Sequence, residues 1–410
     1  MQFVTNIQKR IKGDSWIWLS VVFLSIASVL AVYSASGSLS STAGGPTTET
    51  YLLKQISILC IGFGLAYFVQ NMHYTIFGKL SILALGLSII LLIFTLAYGM
   101  EINDARRWVR IPIINSSFQT SDFARLSLIV YLAYTIAQAG PKASQPQFFM
   151  VHILLPVIIV CGLIMPSDLS TALMLFATCL ILLIVGGINL RLLMTIVMML
   201  AIVGGIYLAL GTFFDSIRST TWVNRITTFF GDEGDTFQIT QAKIAIAEGG
   251  IFGEGPGNSV QRNFLPSPYA DFIYAIIIEE YGLLGGMSLM GIYFLLLFRC
   301  VKIVTRTTRS FAALLTVGIS ISLVLQALLN MAVSVDLVPV TGLNLPFVSK
   351  GGTSAVFQFV AIGMVLSVSH YSEIQRAQDE AEAAALKEQA ESDSQDPISS
   401  PKNASHEGND

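Results

Sequence analysis

The sequence predicts an all-α polytopic membrane protein of about ten transmembrane helices, with a large extracytoplasmic loop between helices 7 and 8. Three observations predict it. Hydrophobic residues make up 53% of the chain and charged residues only 12%, where soluble domains carry about 25% charged residues. Uncharged apolar stretches long enough to cross a bilayer recur from end to end. Polar and glycine-rich segments are confined between those stretches and to the region after Tyr371.

The candidate spans are 16–35, 51–70, 78–98, 122–139, 149–165, 168–188, 191–211, 269–297, 311–335 and 352–370. Met165-Pro166-Ser167-Asp168 and Asn189-Leu190-Arg191 are tight junctions, and the long loops are 36–50, 99–121 and 212–268. The run from Trp16 follows basic residues but is long enough to span and lacks a small-residue cleavage site, so it reads as a membrane helix rather than a leader. Lys9, Arg10 and Lys12, and then Arg299, Lys302, Arg306 and Arg309, fall on one side of a ten-span arrangement together with both termini. The positive-inside rule makes that side cytoplasmic. The expected organisation is a cytoplasmic N-terminus (1–15), a transmembrane domain (16–370) and an acidic cytoplasmic tail (371–410). Within the tail, 373–391 suits a polar helix and 392–410 reads as disordered.

The four cysteines, Cys60, Cys161, Cys179 and Cys300, sit in apolar segments without metal-site or disulfide spacing, which points to packing. His73, His152, His370 and His406 are scattered, which argues against zinc chemistry and a Ser/His/Asp triad. Membrane lipids are the expected surroundings, and no nucleic-acid partner is expected.

The loops expected outside carry Arg106, Arg107, Arg110, Arg218, Arg225, Lys243 and Arg262, and Arg125 lies just inside span four. Long loops translocate regardless of charge. Alternatively these cations form an anion site, since arginine pairs well with phosphate oxygens. Residues 249–258 contain five glycines in ten positions, a pattern for cradling phosphates or for sharp turns. Gln238, Gln241, Asn258 and Gln261 surround it with amides suited to sugar hydroxyls or simply to solvent. In Leu265-Pro266-Ser267-Pro268-Tyr269-Ala270-Asp271-Phe272 the prolines fit the start of a helix. Asp271 is then expected in its first turn, as a cap or as a catalytic group. Glu279 and Glu280 lie deeper on the same helix, Glu279 about 12 Å below Asp271. Ionisable residues at such depth are functional or paired, and pairing with a buried cation or polar helix is the preferred reading. The loop 336–351 runs into span ten through Ser349, Gly351, Gly352 and Ser354. It offers helix-terminal amides to an anion or a re-entrant turn.

At these residues the chain resembles the SEDS family (shape, elongation, division and sporulation), whose members include FtsW and RodA. Asn103-Asp104-Ala105-Arg106-Arg107-Trp108 is similar to the family's N-G-A-x-R-W, and Gln119-Thr120-Ser121-Asp122-Phe123-Ala124-Arg125-Leu126 to Q-P-S-E-x-x-K-L. Phe252 to Gln261, including Asn258 and Ser259, matches F-G-x-G-x-G-N-S-x-Q. Asp271-Phe272-Ile273-Tyr274-Ala275 matches D-F-I-F-A, Glu279-Glu280-Tyr281-Gly282 matches E-E-x-G, and Leu345 to Ser354 matches L-P-F-x-S-x-G-G-S-S. Departures are Asp104 for Gly, Thr120 for Pro, Asp122 for Glu and Arg125 for Lys. Tyr269-Ala270 replaces H-T, and an apparent insertion near Asp168 disturbs the Q-P-D-L-G-T match. Lys350 and the acidic tail make the chain more FtsW-like than RodA-like.

The resemblance implies a peptidoglycan glycosyltransferase of the bacterial cytoplasmic membrane and division septum. It would polymerise lipid II into β-1,4 glycan strands by inversion, releasing undecaprenyl pyrophosphate, with Asp271 as general base. Arg106, Arg107, Trp108, Arg125, Gln238, Gln241, Lys243, Asn258, Ser259, Gln261, Ser349, Gly351, Gly352 and Ser354 are the expected substrate contacts. No cofactor is fixed by the sequence; arginines or a divalent cation, Mg or Mn, would stabilise the pyrophosphate leaving group. The growing glycan strand, a class B penicillin-binding protein and other division proteins are the expected partners. A lipid II flippase, a RodA-type elongation polymerase and a non-catalytic scaffold are the alternatives.

Overall fold

The computed structural model describes residues 12–36, 48–102, 105–111, 116–211, 237–265 and 267–395. In chain order the helices are α1 (Ser15–Ala35), α2 (Thr48–Gln70), α3 (Thr75–Tyr98), α4 (Thr120–Ala139) and α5 (Pro146–Ile164). There follow α6 (Leu169–Val185), α7 (Leu190–Gly211), α8 (Phe237–Gly249), α9 (Ile273–Arg306), α10 (Ser310–Ser334) and α11 (Thr353–Gln395). Among the described residues, eight of these helices are long and apolar enough to cross a membrane, and α6 and the first part of α7 are shorter apolar helices. Each predicted span coincides with one of them. Helix α8 is the additional element, lying in the loop expected between the seventh and eighth spans.

The burial pattern is that of a protein dissolved in lipid. Helix α3 buries Gly78, Ser81, Ser88 and Thr95 while Leu83, Ile90 and Ile93 face outward. Small and hydroxylated residues let neighbouring backbones approach, and the hydroxyls bond their own helix. At Gly62 of α2 a side chain would come within 2.2 Å of the Phe359 ring of α11, so glycine sets the distance of that helix pair. Helix α10 packs on α4, α6 and α9 and turns a polar stripe inward: Thr316, Ser320, Gln326, Asn330 and Ser334 are all buried. At the end of the bundle away from this stripe's amides, Asp14 caps α1 through the Trp16 amide and pairs bidentately with Arg299 of α9.

Three features differ from expectation. The loop 99–121 carries a small antiparallel sheet, β1 (Met100–Ile102), β2 (Ala105–Ile111) and β3 (Ser116–Gln119), in the order β1-β2-β3. Trp108 and Val109 pair with Gln119 and Phe118, and such aromatic and β-branched residues suit a pleated surface. Helix α9 begins at Ile273, so Asp271 lies in the preceding turn and not in the first helical turn. Helix α11 runs unbroken past Tyr371 to Gln395, slightly into the stretch read as disordered.

Helix α9 also breaks at Gly282, whose φ of 70° and ψ of −176° are open essentially to glycine alone. The break lets the loop after α8 hydrogen-bond to it: Glu254 N–H to Glu279 C=O at 2.9 Å, Gly255 N–H to Glu280 C=O at 3.0 Å, and Leu283 N–H to Gly250 C=O at 2.9 Å. A side chain at Gly282 would meet the Ile251 carbonyl oxygen at 2.2 Å. Gly282→Ala is therefore expected to destabilise the fold by about 1–3 kcal/mol from backbone strain alone. Thermal unfolding in detergent measures it, and an unchanged midpoint would refute the close approach.

Candidate functional site

A cavity of about 380 Å³ opens at the end of the bundle where α2, α4, α6 and α11 begin. Its walls include Lys54, Gln55, Arg107, Trp108, Asp122, Arg125, Asp168, Asp271, Gln326, Lys350, Gly351, Gly352 and Ser354. Because these helices present their N-terminal ends, the local backbone field favours an anion. A larger recess of about 870 Å³, lined by His73, Lys79, Arg309 and Glu382 among others, lies at the opposite end and contains none of the predicted site residues.

Asp271 enters the cavity on a turn that has no helix of its own, and three consecutive carbonyls of that turn are gripped from outside. The Lys350 N–H donates to Tyr269 C=O at 3.0 Å. The Ser349 hydroxyl donates to Ala270 C=O at 2.6 Å. The Asn330 amide donates to Asp271 C=O at 2.8 Å and also to Leu343 C=O at 2.7 Å. Gly342, at φ 69°, backs the carboxylate: a side chain there would lie 3.9 Å from Asp271 Oδ2. The N-cap of α9 is Phe272, with no side-chain capping bond, so Asp271 is not the cap of that helix. The backbone is held and the carboxyl faces the cavity, as positioning of a reactive group requires.

The arginines are matched by carboxylates. Arg107 lies 3.1 Å from Asp168 and donates through Nε to Ser167 C=O at 2.7 Å. Asp168 in turn caps α6 through the Thr171 N–H. Arg125 lies 3.5 Å from Asp122, both nearly inaccessible, and donates to Gln326 Oε1 at 2.5 Å. Outside the spans, burial pulls the Lys350 pKa down to about 8, with the Lys54 charge adding to the shift.

The cavity thus brings together Asp271, Arg107, Trp108, Arg125, Gly351, Gly352 and Ser354 of the predicted residues, with Ser349 behind the turn. Eight others lie elsewhere. Lys243 pairs with Asp336. Gln238 and Gln241 lie on α8, away from the cavity lining. Asn258 bonds the Glu254 carbonyl, and Gln261 bonds Glu248. Glu279 accepts from the Ser259 hydroxyl at 2.5 Å and from the Val260 and Gln261 amides at 2.7 and 3.1 Å. Glu280 accepts from the Ser34 hydroxyl, and Arg262 donates to Ser34. The glycine-rich loop is therefore bound to α9 by backbone and carboxylate bonds, the sharp-turn alternative of its sequence reading, and it lies apart from the cavity that holds Asp271. The expected 12 Å drop from Asp271 to Glu279 assumed a helix already running at Asp271. Arg218 and Arg225 lie outside the described residues, as does the side chain of Arg106.

Sequence reasoning missed Gln326 and Asn330. Their signal was present, since two amides one turn apart within an apolar span are costly unless they bond something. It also passed over Lys54 and Gln55 at the start of the second span.

The fold and cavity define an integral membrane protein with a charged, carboxylate-bearing site at one end of its helices. The chain belongs to the FtsW/RodA/SpoVE family of cell cycle proteins, whose model matches residues 14–374. It is 31% identical over 371 residues to the probable peptidoglycan glycosyltransferase FtsW of Coxiella burnetii, covering 88% of this chain and 97% of that one. It is 33% identical to the protein of the same name from Alkalilimnicola ehrlichii, covering 86% and 88% of the two chains. A chain from a peptidoglycan synthase complex that coordinates polymerization and crosslinking superposes with a TM-score of 0.67 at 26% identity, covering 88% of this chain and 98% of that one. The rod shape determining protein RodA of Thermus thermophilus superposes with a TM-score of 0.60 at 26% identity, covering 85% and 95%.

The pairing of Arg125 with Asp122 carries its own prediction. Arg125→Ala strands a buried carboxylate and is expected to cost about 3–5 kcal/mol in stability, with part of the loss recovered by adding Asp122→Asn. Thermal unfolding of the purified single and double variants measures it, and strictly additive losses would show that the two groups do not interact.

Proposed function

We propose that this chain is a peptidoglycan glycosyltransferase of the septal type, polymerising lipid II with inversion at the anomeric carbon. The observation that carries the reading is the meeting of Asp271, on its externally held turn, with a cationic wall in one cavity. Membership of the family and the names of its relatives agree with it. Asp271 acts as general base. It takes the proton of the acceptor GlcNAc 4-hydroxyl as that oxygen bonds to C1 of the donor MurNAc. The C1–O bond to the diphosphate breaks, and its electron pair leaves with undecaprenyl pyrophosphate. A weakly acidic hydroxyl needs such a base, and cations stabilise the departing anion. A divalent cation held mainly by the diphosphate needs only one or two protein carboxylates, which Asp271 and the neighbouring aspartates of the cavity would offer, and no step is assigned to it.

Both termini face the cytoplasm in this reading, and the cavity opens on the far side, where a lipid-linked sugar is presented. The partner is a class B penicillin-binding protein that crosslinks the product and contacts α9, α10 and the loop around α8. The structural relative from a complex joining polymerization to crosslinking supports that pairing.

Asp271→Asn keeps the shape of the side chain and removes the base. Glycan polymerisation from labelled lipid II, by the purified protein with its partner, is expected to fall about 10²–10⁴-fold with melting temperature unchanged. Near-normal product on a gel would remove Asp271 from the mechanism. Orientation is tested by cysteine labelling at Asn263, an exposed position of the loop after α8, with the native cysteines replaced. Labelling of intact cells with an impermeant maleimide is expected, and labelling only after permeabilisation would invert the topology.

A further inference from the structure

Among the described residues Lys350 belongs to no ion pair. Its ammonium lies over two phenol rings, 3.6 Å from the centroid of Tyr51 and 4.6 Å from that of Tyr269, with the rings 6.5 Å apart. Cation–π contact favours a cation at such distances but leaves its N–H groups without strong acceptors. Lys54, three residues along α2 from Tyr51, lines the same cavity and is exposed. Among the described residues no carboxylate lies within ion-pair distance of either lysine. The two arginines of the cavity differ in this respect, since Asp168 and Asp122 already answer their charges. The lining therefore carries four cations against three carboxylates, and the charge that the protein leaves unanswered is concentrated on the two lysines.

Resting on the glycosyltransferase reading, we propose that Lys350, set between Tyr51 and Tyr269 and acting with Lys54, is the contact that binds the diphosphate of the lipid-linked donor. Arg107 and Arg125 shape the wall from within their ion pairs. The tyrosine rings keep the ammonium extended into the cavity and partly dehydrated, which strengthens its attraction to an incoming anion. The backbone N–H of the same residue grips the Tyr269 carbonyl. One residue thus couples the donor contact to the turn that carries Asp271. The charged groups sharing the cavity with Lys350 are Lys54 on α2, Asp271 before α9, Arg107 on β2, Asp122 and Arg125 on α4, and Asp168 before α6. With its pKa lowered to about 8 by burial and Lys54, Lys350 is cationic below that pH and neutral above it. Donor capture should therefore weaken as pH rises through about 8.

The test compares wild type with Lys350→Met, which keeps much of the stem between the rings, Lys350→Arg, which keeps the charge, and Lys54→Met. Binding of geranylgeranyl diphosphate and of geranylgeraniol to the full chain in detergent is measured alongside lipid II polymerisation with the partner. For Lys350→Met, diphosphate affinity is expected to fall about tenfold and kcat/KM for lipid II to fall at least in step, with alcohol binding unchanged. Lys54→Met should shift both in the same direction and stands in if Lys350→Met fails to fold. Lys350→Arg should restore affinity and move the alkaline limb of kcat/KM to higher pH. Wild-type diphosphate affinity in both Met variants would overturn the proposal, as would an alkaline limb that Lys350→Arg leaves in place. A wild-type chain that binds the diphosphate in this lysine-dependent way but makes no glycan would overturn the enzymatic reading and leave the lysine site standing.

Discussion

Two amide side chains one turn apart on α10 organise the site. Gln326 and Asn330 are buried and reach three separate parts of the chain: the carbonyls of Leu343 and Asn344, the Asp271 carbonyl, and the Arg125 guanidinium. Irregular backbone at the edge of a membrane domain is tolerated only where its polar groups find partners. The turn before α9 and the loop before α11 meet that condition largely through this one helix face. Because α10 packs on α4, α6 and α9, its position is set by packing, and the amides convert that packing into the position of a carboxylate.

The same economy governs charge. Arg107 is placed against Asp168 at the start of α6, and Arg125 against Asp122 one turn earlier on its own helix α4. A buried guanidinium needs such a partner and further hydrogen bonds to offset its desolvation. Arg107 finds the second in the Ser167 carbonyl and Arg125 in Gln326. The Arg107 pair joins β2 to the α5–α6 junction and the Arg125–Gln326 bond joins α4 to α10, so these contacts fix the cavity walls. Lys54 and Lys350 take no part in that ion-pair framework.

The glycine-rich loop illustrates how one composition serves different ends. Its glycines at 253 and 255 have positive φ, and Gly253 lies so close to the backbone at Glu280 that a side chain would meet its carbonyl oxygen at 2.3 Å. Glu279 and Glu280 close the arrangement by accepting from Ser259, Val260, Gln261 and Ser34. The depth of Glu279 in an apolar helix is tolerable because three donors meet its two oxygens, whereas Glu280 takes the Ser34 hydroxyl on one oxygen while the other is buried without a hydrogen bond among the described residues. The result is a rigid shelf on α9, the helix whose start follows Asp271.

The spans were legible in the sequence because length and apolarity are local properties of a segment, and a bilayer reads them segment by segment. The motifs around Trp108, Arg125, Asp271 and Ser354 were legible as well, since their residue types already speak of cations, a base and a helix N-terminus. The destinations of individual side chains were not. Asn258, Ser259, Gln261 and Lys243 look as suited to a sugar or a phosphate as Arg107 does, and only the tertiary structure assigns the first four to the shelf and the Asp336 pair. Likewise Asp271 reads as a helix-capping residue until Ile273 is seen to begin the helix. The physical reason is that a polar group's role is decided by which partner comes within about 3 Å. Here those partners lie far away in sequence, from Ser34 and Glu280 to Asn330 and Asp271, and are brought together only by the packing of the helices.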